Sequence, residues 1–235
     1  MSLESAIWDP AASVAMDFHP DRHVLMVAFA GLAGQIGVPL FEFNNLTSGL
    51  PGLNKIYLRD PHQRWYHRGL RGVGDNIDEI AAFLAKYTRH PATQRTVFFG
   101  NSGGGYAALL FGHLLQVDQV HAFSPRTFIS PIRRLLVGDG ETWKRLPRGL
   151  FLRHSQTEYF DLRRVLSQSQ PRSTALHLYY AEDDRLDRLH ALRMQALAGV
   201  QLHAFPHGKH KLIRFLKQDG ELLRIIEGAV QLGAA

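Results

Sequence analysis

The sequence predicts an α/β fold, a mostly parallel, doubly wound sheet with helices on both faces. Short apolar runs alternate along the chain with stretches whose apolar residues recur at helical spacing, which is the pattern of strands joined by crossover helices. The chain has 235 residues, of which 45% are hydrophobic and 20% charged. That length is enough for one substantial core and short for two. We therefore expect a single domain over 1–235.

The strands are predicted from buried runs bounded by glycine, proline or acidic residues. The predicted strands are 23–31, 55–60, 95–100, 119–125, 174–181 and 200–206, with an additional edge strand at 13–18. Amphipathic spacing predicts helices at 76–90, 106–116, 188–198 and 211–232, the last with a break at Gly220. In open parallel sheets the chemistry lies at the carboxyl ends of the strands, so the residues that follow each strand are the ones to inspect.

Composition excludes several classes of function. The chain has no cysteine, which rules out disulfides and thiolate metal sites and permits the cytoplasmic location that we expect. The N-terminus lacks the basic start and apolar core of a signal peptide, and the longest apolar run, "VLMVAFAGLAG", is too short to span a bilayer. A net charge of +6 is by itself too weak a sign of nucleic-acid binding. We expect no nucleic acid, no membrane span and no cofactor.

The stretch "FFGNSGGGYAALL" joins a predicted strand to a predicted helix. Gly100, Ser102 and Gly104 within it match G-x-S-x-G, which in a strand–turn–helix context is a nucleophile elbow. The turn is so sharp that a Cβ two residues before or after the serine would meet neighbouring backbone. A phosphate-binding loop is the rival interpretation, but neither G-K-[ST] nor G-x-G-x-x-G occurs here. Acids follow a later strand and histidines follow the last one.

Over nearly its whole length the chain resembles the α/β-hydrolase superfamily. The resemblance rests on "GNSGG", on the acids after "LHLYYA", and on "HGKH" after the last strand. It implies a serine esterase-like enzyme with an acyl-enzyme mechanism and the chain order Ser, Asp/Glu, His. The pair "FFGNSGGGYAALLFG" and "AFSPRTFI" is also similar to bacterial members linked to surface-glycan assembly.

Two acids compete for the third position of the triad. The family commonly places the acid about three residues past its strand, which corresponds to Asp184. Asp187 is the alternative, although an aspartate there could instead cap a helix that starts near Arg188. Both remain candidates.

His210 is the preferred general base, because small residues followed by a histidine just before the last helix match the family. His207 is then a loop residue or a substrate contact. Together with His203 these histidines could suggest a metal site, but their loop holds no carboxylate, and we expect no metal.

The family also implies an oxyanion hole of two backbone N–H groups. One belongs to Gly103, directly after the nucleophile. The other is expected from Leu32, in the loop after the strand 23–31, with Gly31 as a neighbour that contacts substrate. Asp60, after the strand 55–60, is interpreted as structural.

Residues 126–173 are too long for one crossover helix, so the resemblance implies a small helical cap inserted after the strand near 119–125. Residues 126–172 hold ten lysines and arginines against four acids, an excess equal to the whole net charge. A solvated outer face is one interpretation. The other is recognition of an anionic substrate, with Arg133 and Arg134 among the contacts.

The expected function is cleavage of an ester or thioester in a small-molecule or glycan substrate. An acyltransferase that uses the same triad, or an idle binding protein with this fold, are the alternatives. The sequence does not determine the oligomeric state.

Overall fold

One sheet organises the chain in the computed structural model, which describes residues 3–32, 41–139, 156–168 and 174–231. Within these residues the sheet has seven strands in the spatial order β1-β3-β2-β4-β5-β6-β7. The bounds are β1 Val14–Asp17, β2 Val24–Phe29, β3 Leu53–Leu58, β4 Arg95–Asn101, β5 Gln119–Phe123, β6 Ala175–Ala181 and β7 Val200–Phe205. The edge strand β1 is antiparallel to β3, and the other neighbours are parallel. All seven predicted strands are confirmed.

The helices and helical turns connect these strands. Their bounds are α1 Leu3–Ile7, α2 Asn44–Thr47, α3 Ile77–Thr88, α4 Gly103–Leu115, α5 Pro131–Leu136, α6 Leu162–Ser167, α7 Arg185–Leu192, α8 Leu212–Gln218 and α9 Glu221–Val230. Two 3₁₀ turns lie at Thr157–Phe160 and Lys209–Lys211. Gly220 takes a φ of 73° between α8 and α9, so the predicted break of the C-terminal helix is confirmed.

The helices cover both faces of the sheet, as predicted. One buried cluster joins β-strand side chains to α3, α4 and α6, with Ile80, Leu109 and Leu166 fully buried. The other cluster joins the opposite face to α1, α8 and α9, with Leu212 and Ile226 fully buried. Each face therefore removes its apolar side chains from water, which is the main favourable term for a doubly wound sheet.

The carboxyl ends of the central strands are aligned by the register of the sheet. Gly100 on β4 lies beside Phe29 on β2 and Ala122 on β5, and Phe123 lies beside Tyr179 on β6. The segments that leave these strands consequently meet at one edge, as the parallel topology requires.

Only part of the predicted insertion is described, because residues 140–155 and 169–173 lie outside the described residues. In α6, Leu162 and Leu166 are fully buried in the same cluster as α4. This part of the insertion therefore packs in the helical layer over the sheet, and the expected cap bounds of about 126–173 stay a prediction.

Side chains of α3 and α4 fasten the 3₁₀ turn that precedes α6. The Tyr106 hydroxyl on α4 donates to the Tyr159 carbonyl at 2.8 Å, and the Tyr159 hydroxyl donates to Asp78 Oδ1 on α3 at 3.1 Å. The side-chain amide of Gln156 also donates to Asp78, at 2.6 Å. These polar contacts add to the apolar packing that holds this part of the insertion against α3 and α4.

The loop after β3 is built around one buried carboxylate. Asp60 accepts backbone N–H groups from His62 at 2.9 Å, Arg64 at 2.6 Å and Tyr66 at 3.0 Å. Burial raises the pKa of Asp60, although these three hydrogen bonds act in the opposite direction. The expected structural role of Asp60 is confirmed. Trp65 and Tyr66, which belong to this loop, are buried.

Candidate active site

Ser102 lies at the junction of β4 and α4, in the sharp turn that the sequence predicts. Its backbone has φ 52° and ψ −110°, a sparsely populated conformation for a residue with a side chain. Its N–H donates to the Phe123 carbonyl of β5 at 2.8 Å, so the turn stays attached to the sheet. The helix that follows directs its N-terminus, with its partial positive charge, towards the same place.

The two motif glycines are required by close contacts of the backbone. A Cβ on Gly100 would come within 2.1 Å of the Gly104 carbonyl oxygen, and a Cβ on Gly104 within 2.1 Å of the Phe29 carbonyl oxygen. No side chain fits at these separations. In contrast, a Cβ on Gly105 would meet the Pro125 side chain at 3.0 Å. The elbow therefore depends on Gly100 and Gly104 in particular.

His210 connects the serine to a buried carboxylate. Its Nε2 lies 2.9 Å from Ser102 Oγ, and its Nδ1 lies 2.8 Å from Asp187 Oδ1. Because an ionised carboxylate only accepts hydrogen bonds, Nδ1 carries the proton and Nε2 presents its lone pair to the serine hydroxyl. This chain of contacts can remove the serine proton and hold the resulting imidazolium.

Asp184, which the family resemblance makes the first choice for the triad acid, lies at the N-terminus of α7. Its Oδ1 accepts the N–H groups of Leu186 at 3.0 Å and of Asp187 at 2.9 Å, which caps α7. The helix begins at Arg185 and not near Arg188, so Asp184 takes the capping role that the sequence analysis considered for Asp187. Asp187, one turn along, points to His210. Of the two candidate acids, Asp187 is therefore the one that the structure brings to His210.

The Asp187 carboxylate is fully buried. Burial by itself raises its pKa, but the hydrogen bond and charge of His210 and the charge of Arg126 outweigh burial and hold the pKa below its usual range. Ser124, at the end of β5, lowers it further. The acid is therefore ionised at neutral pH.

The loop between β7 and α8 brings His210, and not His207, to the serine. Gly208 has φ 132° and Lys209 has φ 47°, and the Lys209 N–H donates to Asp183 Oδ1 at 2.9 Å. This turn directs His210 inward, whereas the His207 side chain is 79% exposed, with Nδ1 3.9 Å from Asp183 Oδ2. The preference for His210 agrees with this geometry.

The two residues expected to form the oxyanion hole lie against each other. A Cβ on Gly103 would come within 2.5 Å of Leu32 Cγ. The neighbouring Gly31 N–H is already used, since it donates to Glu42 Oε2 at 2.7 Å. The expected contact of Gly31 with substrate stays a prediction, and its backbone N–H is not free to make that contact. The loop that would complete the hole continues into residues 33–40, which lie outside the described residues.

Comparison with known proteins identifies the fold. Similar solved structures include a 2,6-dihydroxy-pseudo-oxynicotine hydrolase, with a TM-score of 0.63 and 16% identity over 92% of this chain. A lipase-esterase related protein from Clostridium acetobutylicum has a TM-score of 0.57 and 15% identity, over 94% of this chain and 100% of that one. The chain has the α/β-hydrolase fold.

A third similar structure is the capsule O-acetyltransferase of Neisseria meningitidis serogroup A. Its TM-score is 0.61 at 11% identity, over 90% of both chains. The present chain spans only 63% of the length of the oxynicotine hydrolase, so that protein carries substantial additional sequence. No family model and no curated protein matches the sequence.

Within this α/β-hydrolase fold, the two arginines expected to contact substrate have different positions. Arg134 is buried, with Nε 2.9 Å from Asp139 Oδ2, and its guanidinium lies over the Trp65 ring. Its burial and its pairing with Asp139 count against the expected substrate contact, which stays a prediction. Arg133 is half exposed and pairs with Asp161 at 2.8 Å.

Two residues that contact the site were not identified as site residues from the sequence. Glu42 accepts the Gly31 N–H and also, through Oε1, the Asn101 side-chain amide at 3.0 Å, which links the loop after β2 to the elbow. Arg126 lies 2.7 Å from Asp187. No motif marks Glu42, and Arg126 was one of ten basic residues in the insertion.

In residues 3–32, 41–139, 156–168 and 174–231, no three His, Asp or Glu side chains are grouped to hold a metal ion. Over the same ranges, every helix is too short or too polar to cross a bilayer.

Proposed function

We propose that this protein is a serine hydrolase that cleaves an ester or thioester through an acyl-enzyme intermediate. The observation that carries the proposal is the continuous contact from Ser102 Oγ through His210 to the buried Asp187 carboxylate. A serine hydroxyl is a poor nucleophile until a neighbouring base takes its proton. An idle binding protein would have no need of this arrangement at a strained elbow.

Acylation follows from the protonation state of the site. Ser102 Oγ attacks the carbonyl carbon while its proton passes to His210 Nε2, and the resulting imidazolium is stabilised by Asp187. The carbonyl oxygen becomes an oxyanion, which in this proposal accepts the N–H groups of Gly103 and Leu32 at the N-terminus of α4. Collapse of this tetrahedral intermediate expels the alcohol or thiol, which takes the proton from His210.

Deacylation repeats these steps with water. His210 Nε2 removes a proton from the water as its oxygen attacks the acyl carbon, and a second tetrahedral intermediate forms. Its collapse releases the carboxylic acid and returns the proton to Ser102 Oγ. The enzyme is then regenerated without any further reactant.

Acyl transfer is a second candidate, in which an alcohol replaces water on the same acyl-enzyme. The structural similarity to a capsule O-acetyltransferase over 90% of both chains favours it specifically. That similarity, together with those to a hydrolase and an esterase-related protein, supports ester chemistry at the level of the fold. A glycan acyl ester is accordingly a substrate class to test beside small esters.

An anionic group on the substrate is a separate part of the proposal. Arg163 and Arg164 on α6 are exposed. Replacing both with glutamine should raise KM several-fold for an anionic ester and leave a neutral ester unchanged. The effect should shrink in high salt, because exposed charges are screened within about 8–10 Å. Equal effects on both esters would contradict electrostatic recognition.

The nucleophile is tested by labelling with a fluorophosphonate probe, followed by turnover of short-chain esters and thioesters. Ser102→Ala should abolish labelling and lower kcat by roughly four to six orders of magnitude, because the covalent route is lost. Ser48→Ala, at an exposed serine, is the control and should behave as wild type. Labelling of Ser102→Ala equal to that of wild type would refute the assignment.

Hydrolysis and transfer are separated by the fate of the acyl group. An acyl ester with a labelled acyl group is incubated with the enzyme and increasing concentrations of a polyol or oligosaccharide acceptor. A hydrolase releases the labelled acid at every acceptor concentration. Predominant labelling of the acceptor at millimolar concentration would favour the transferase.

A further inference from the structure

Arg126 contacts the acid of the proposed triad directly. Its NH1 lies 2.7 Å from Asp187 Oδ1, the same oxygen that accepts His210 Nδ1–H at 2.8 Å. The Arg126 side chain is 12% exposed and the Asp187 side chain is fully buried, so water screens this contact little. One oxygen of the Asp187 carboxylate therefore contacts both the proposed base, His210, and a permanently charged guanidinium, that of Arg126.

The backbone of Arg126 also lies next to the nucleophile. Its N–H is 3.4 Å from the Ser102 carbonyl oxygen, a long hydrogen bond. Arg126 is separated from the last residue of β5 by only Ser124 and Pro125. One residue at the end of a central strand therefore touches both the elbow and the acid.

We propose that Arg126 is a positioning residue that holds the Asp187 carboxylate and opposes a second positive charge on the His210 imidazole. The proposal rests on the proposed function only for its kinetic readout. The contact itself and the titration of His210 can be measured whether or not the protein turns over an ester.

The physical reason is electrostatic. Because both groups bind Oδ1, Arg126 NH1 and His210 Nδ1 lie at most about 5.5 Å apart. A cation at that distance disfavours a second positive charge on the imidazole, and it also offsets part of the carboxylate charge that would stabilise the imidazolium. Arg126 additionally keeps Asp187 ionised, since its charge lowers the pKa of that carboxyl against the effect of burial.

Other charged groups surround His210. The buried His190 on α7 has its pKa lowered to about 2 by burial first and then by nearby positive charges, His210 among them, so it stays neutral in the working range. The titratable and charged groups facing this region from the packed elements are Asp183, Asp187, His190, Arg126, Arg134, Arg193, His207 and Lys209. Among them, Arg126 is the cation with a direct contact to the acid.

The test compares the Arg126→Gln and Arg126→Lys variants with wild type. In Arg126→Gln, the acid limb of the kcat/KM profile should move upwards by about one pH unit, because the imidazolium is no longer opposed by a cation. Arg126→Lys retains the charge, so its acid limb should stay within about 0.3 units. If Arg126→Gln instead lowers kcat/KM equally at every pH and the acid limb does not move, Arg126 has only a structural role. That result would overturn the proposal.

The second readout is the NMR titration of the His210 imidazole, assigned by comparison with His210→Gln. Its midpoint should rise by about one pH unit in Arg126→Gln, with or without catalytic activity. This separates failure of the proposal from failure of the proposed function, which the fluorophosphonate probe tests alone. An unchanged midpoint would overturn the proposal.

Two further variants keep the test decisive. Arg193→Gln removes an equally shielded guanidinium whose partner is Asp161, and it should leave the His210 midpoint unmoved. If Arg126→Gln does not fold, Arg126→Lys decides, since a shift of one unit despite the retained charge would contradict an electrostatic role.

Discussion

His177 on β6 and His203 on β7 lie with ring nitrogens 3.1 Å apart, Nδ1 of the first facing Nε2 of the second. The stack continues to His121 on β5, whose ring centre is 4.5 Å from that of His177. Tyr179 lies over His203 and its hydroxyl is 2.9 Å from His121 Nδ1. Three histidines in contact can remain together only while they are mostly neutral.

The first prediction is loss of stability in mild acid. Burial first, and then the charges of the neighbouring histidines and Arg95, lowers the pKa of His121 to about 3. The unfolded chain, with a histidine pKa near 6.5, binds this proton more readily, so stability falls as the pH drops below about 6.5. Between pH 7 and pH 5, one such group costs about 2 kcal/mol of unfolding free energy.

Urea denaturation at pH 7 and pH 5 measures this loss. His121→Phe keeps the ring and removes the titration, so its loss between the two pH values should be smaller than that of wild type by about 2 kcal/mol. Equal losses would show that His121 is not a source of the acid sensitivity. Comparing each variant with itself cancels the cost of the lost Tyr179 hydrogen bond.

The second prediction concerns the elbow glycines. Gly104→Ala forces a Cβ against the Phe29 backbone, which cannot move without disturbing the central strand, and should cost more than about 3 kcal/mol of stability. A Cβ on Gly105 would meet Pro125 at 3.0–3.2 Å and the Gly100 carbonyl oxygen at 3.3 Å, separations that shifts of a few tenths of an ångström relieve, and Gly105→Ala gains helix propensity, so it should change stability by less than about 1 kcal/mol. Thermal unfolding of both variants distinguishes them, and similar melting temperatures would count against this account of the turn.

The third prediction separates the two acids. Asp187→Asn should lower kcat by roughly 10³–10⁴-fold, because the amide no longer stabilises the imidazolium and can impose the wrong tautomer on His210. Asp184→Asn preserves a capping side chain and should leave kcat and stability close to wild type, whereas Asp184→Ala should cost about 1 kcal/mol of stability. The measurements are kcat on one ester and unfolding by urea. A catalytic defect in Asp184→Asn as large as that in Asp187→Asn would restore the family-based choice.

The fourth prediction concerns the arginines on α5. Arg134→Gln removes the guanidinium from a buried pair with Asp139, and breaking a buried pair should cost about 3–5 kcal/mol. Arg133→Gln breaks a half-exposed pair with Asp161 and should cost less than about 1 kcal/mol. Denaturant unfolding measures both. If Arg133→Gln costs more stability than Arg134→Gln, the buried ion pair between Arg134 and Asp139 does not have the role described here.

The sheet and the elbow were predictable because their signals are local. A strand such as β4 is an apolar run ended by glycine, and the elbow is five consecutive residues whose spacing follows from steric contact. The acid depends instead on where α7 begins. A shift of three residues in that boundary exchanges the roles of Asp184 and Asp187, and helix ends are weakly encoded.

Long-range pairing of charges could not be predicted. Arg126 and Asp187 are 61 residues apart, and Glu42 and Asn101 are 59 apart. The spacing of either pair along the chain does not indicate a contact. The two residues of each pair meet only because the fold packs distant segments against each other. For the same reason Arg134 was grouped with exposed arginines although it is buried.

The Asp60 loop has a consequence for how the sequence can vary. Its backbone N–H groups at positions 62, 64 and 66 converge on one carboxylate, and Gln63, Trp65 and Tyr66 have positive φ to achieve this. An inserted or deleted residue would move donors away from a buried charge. Connecting loops usually tolerate such changes in length. Between Asp60 and Tyr66, however, length is as constrained as the register of a strand, and natural variation should take the form of substitution alone.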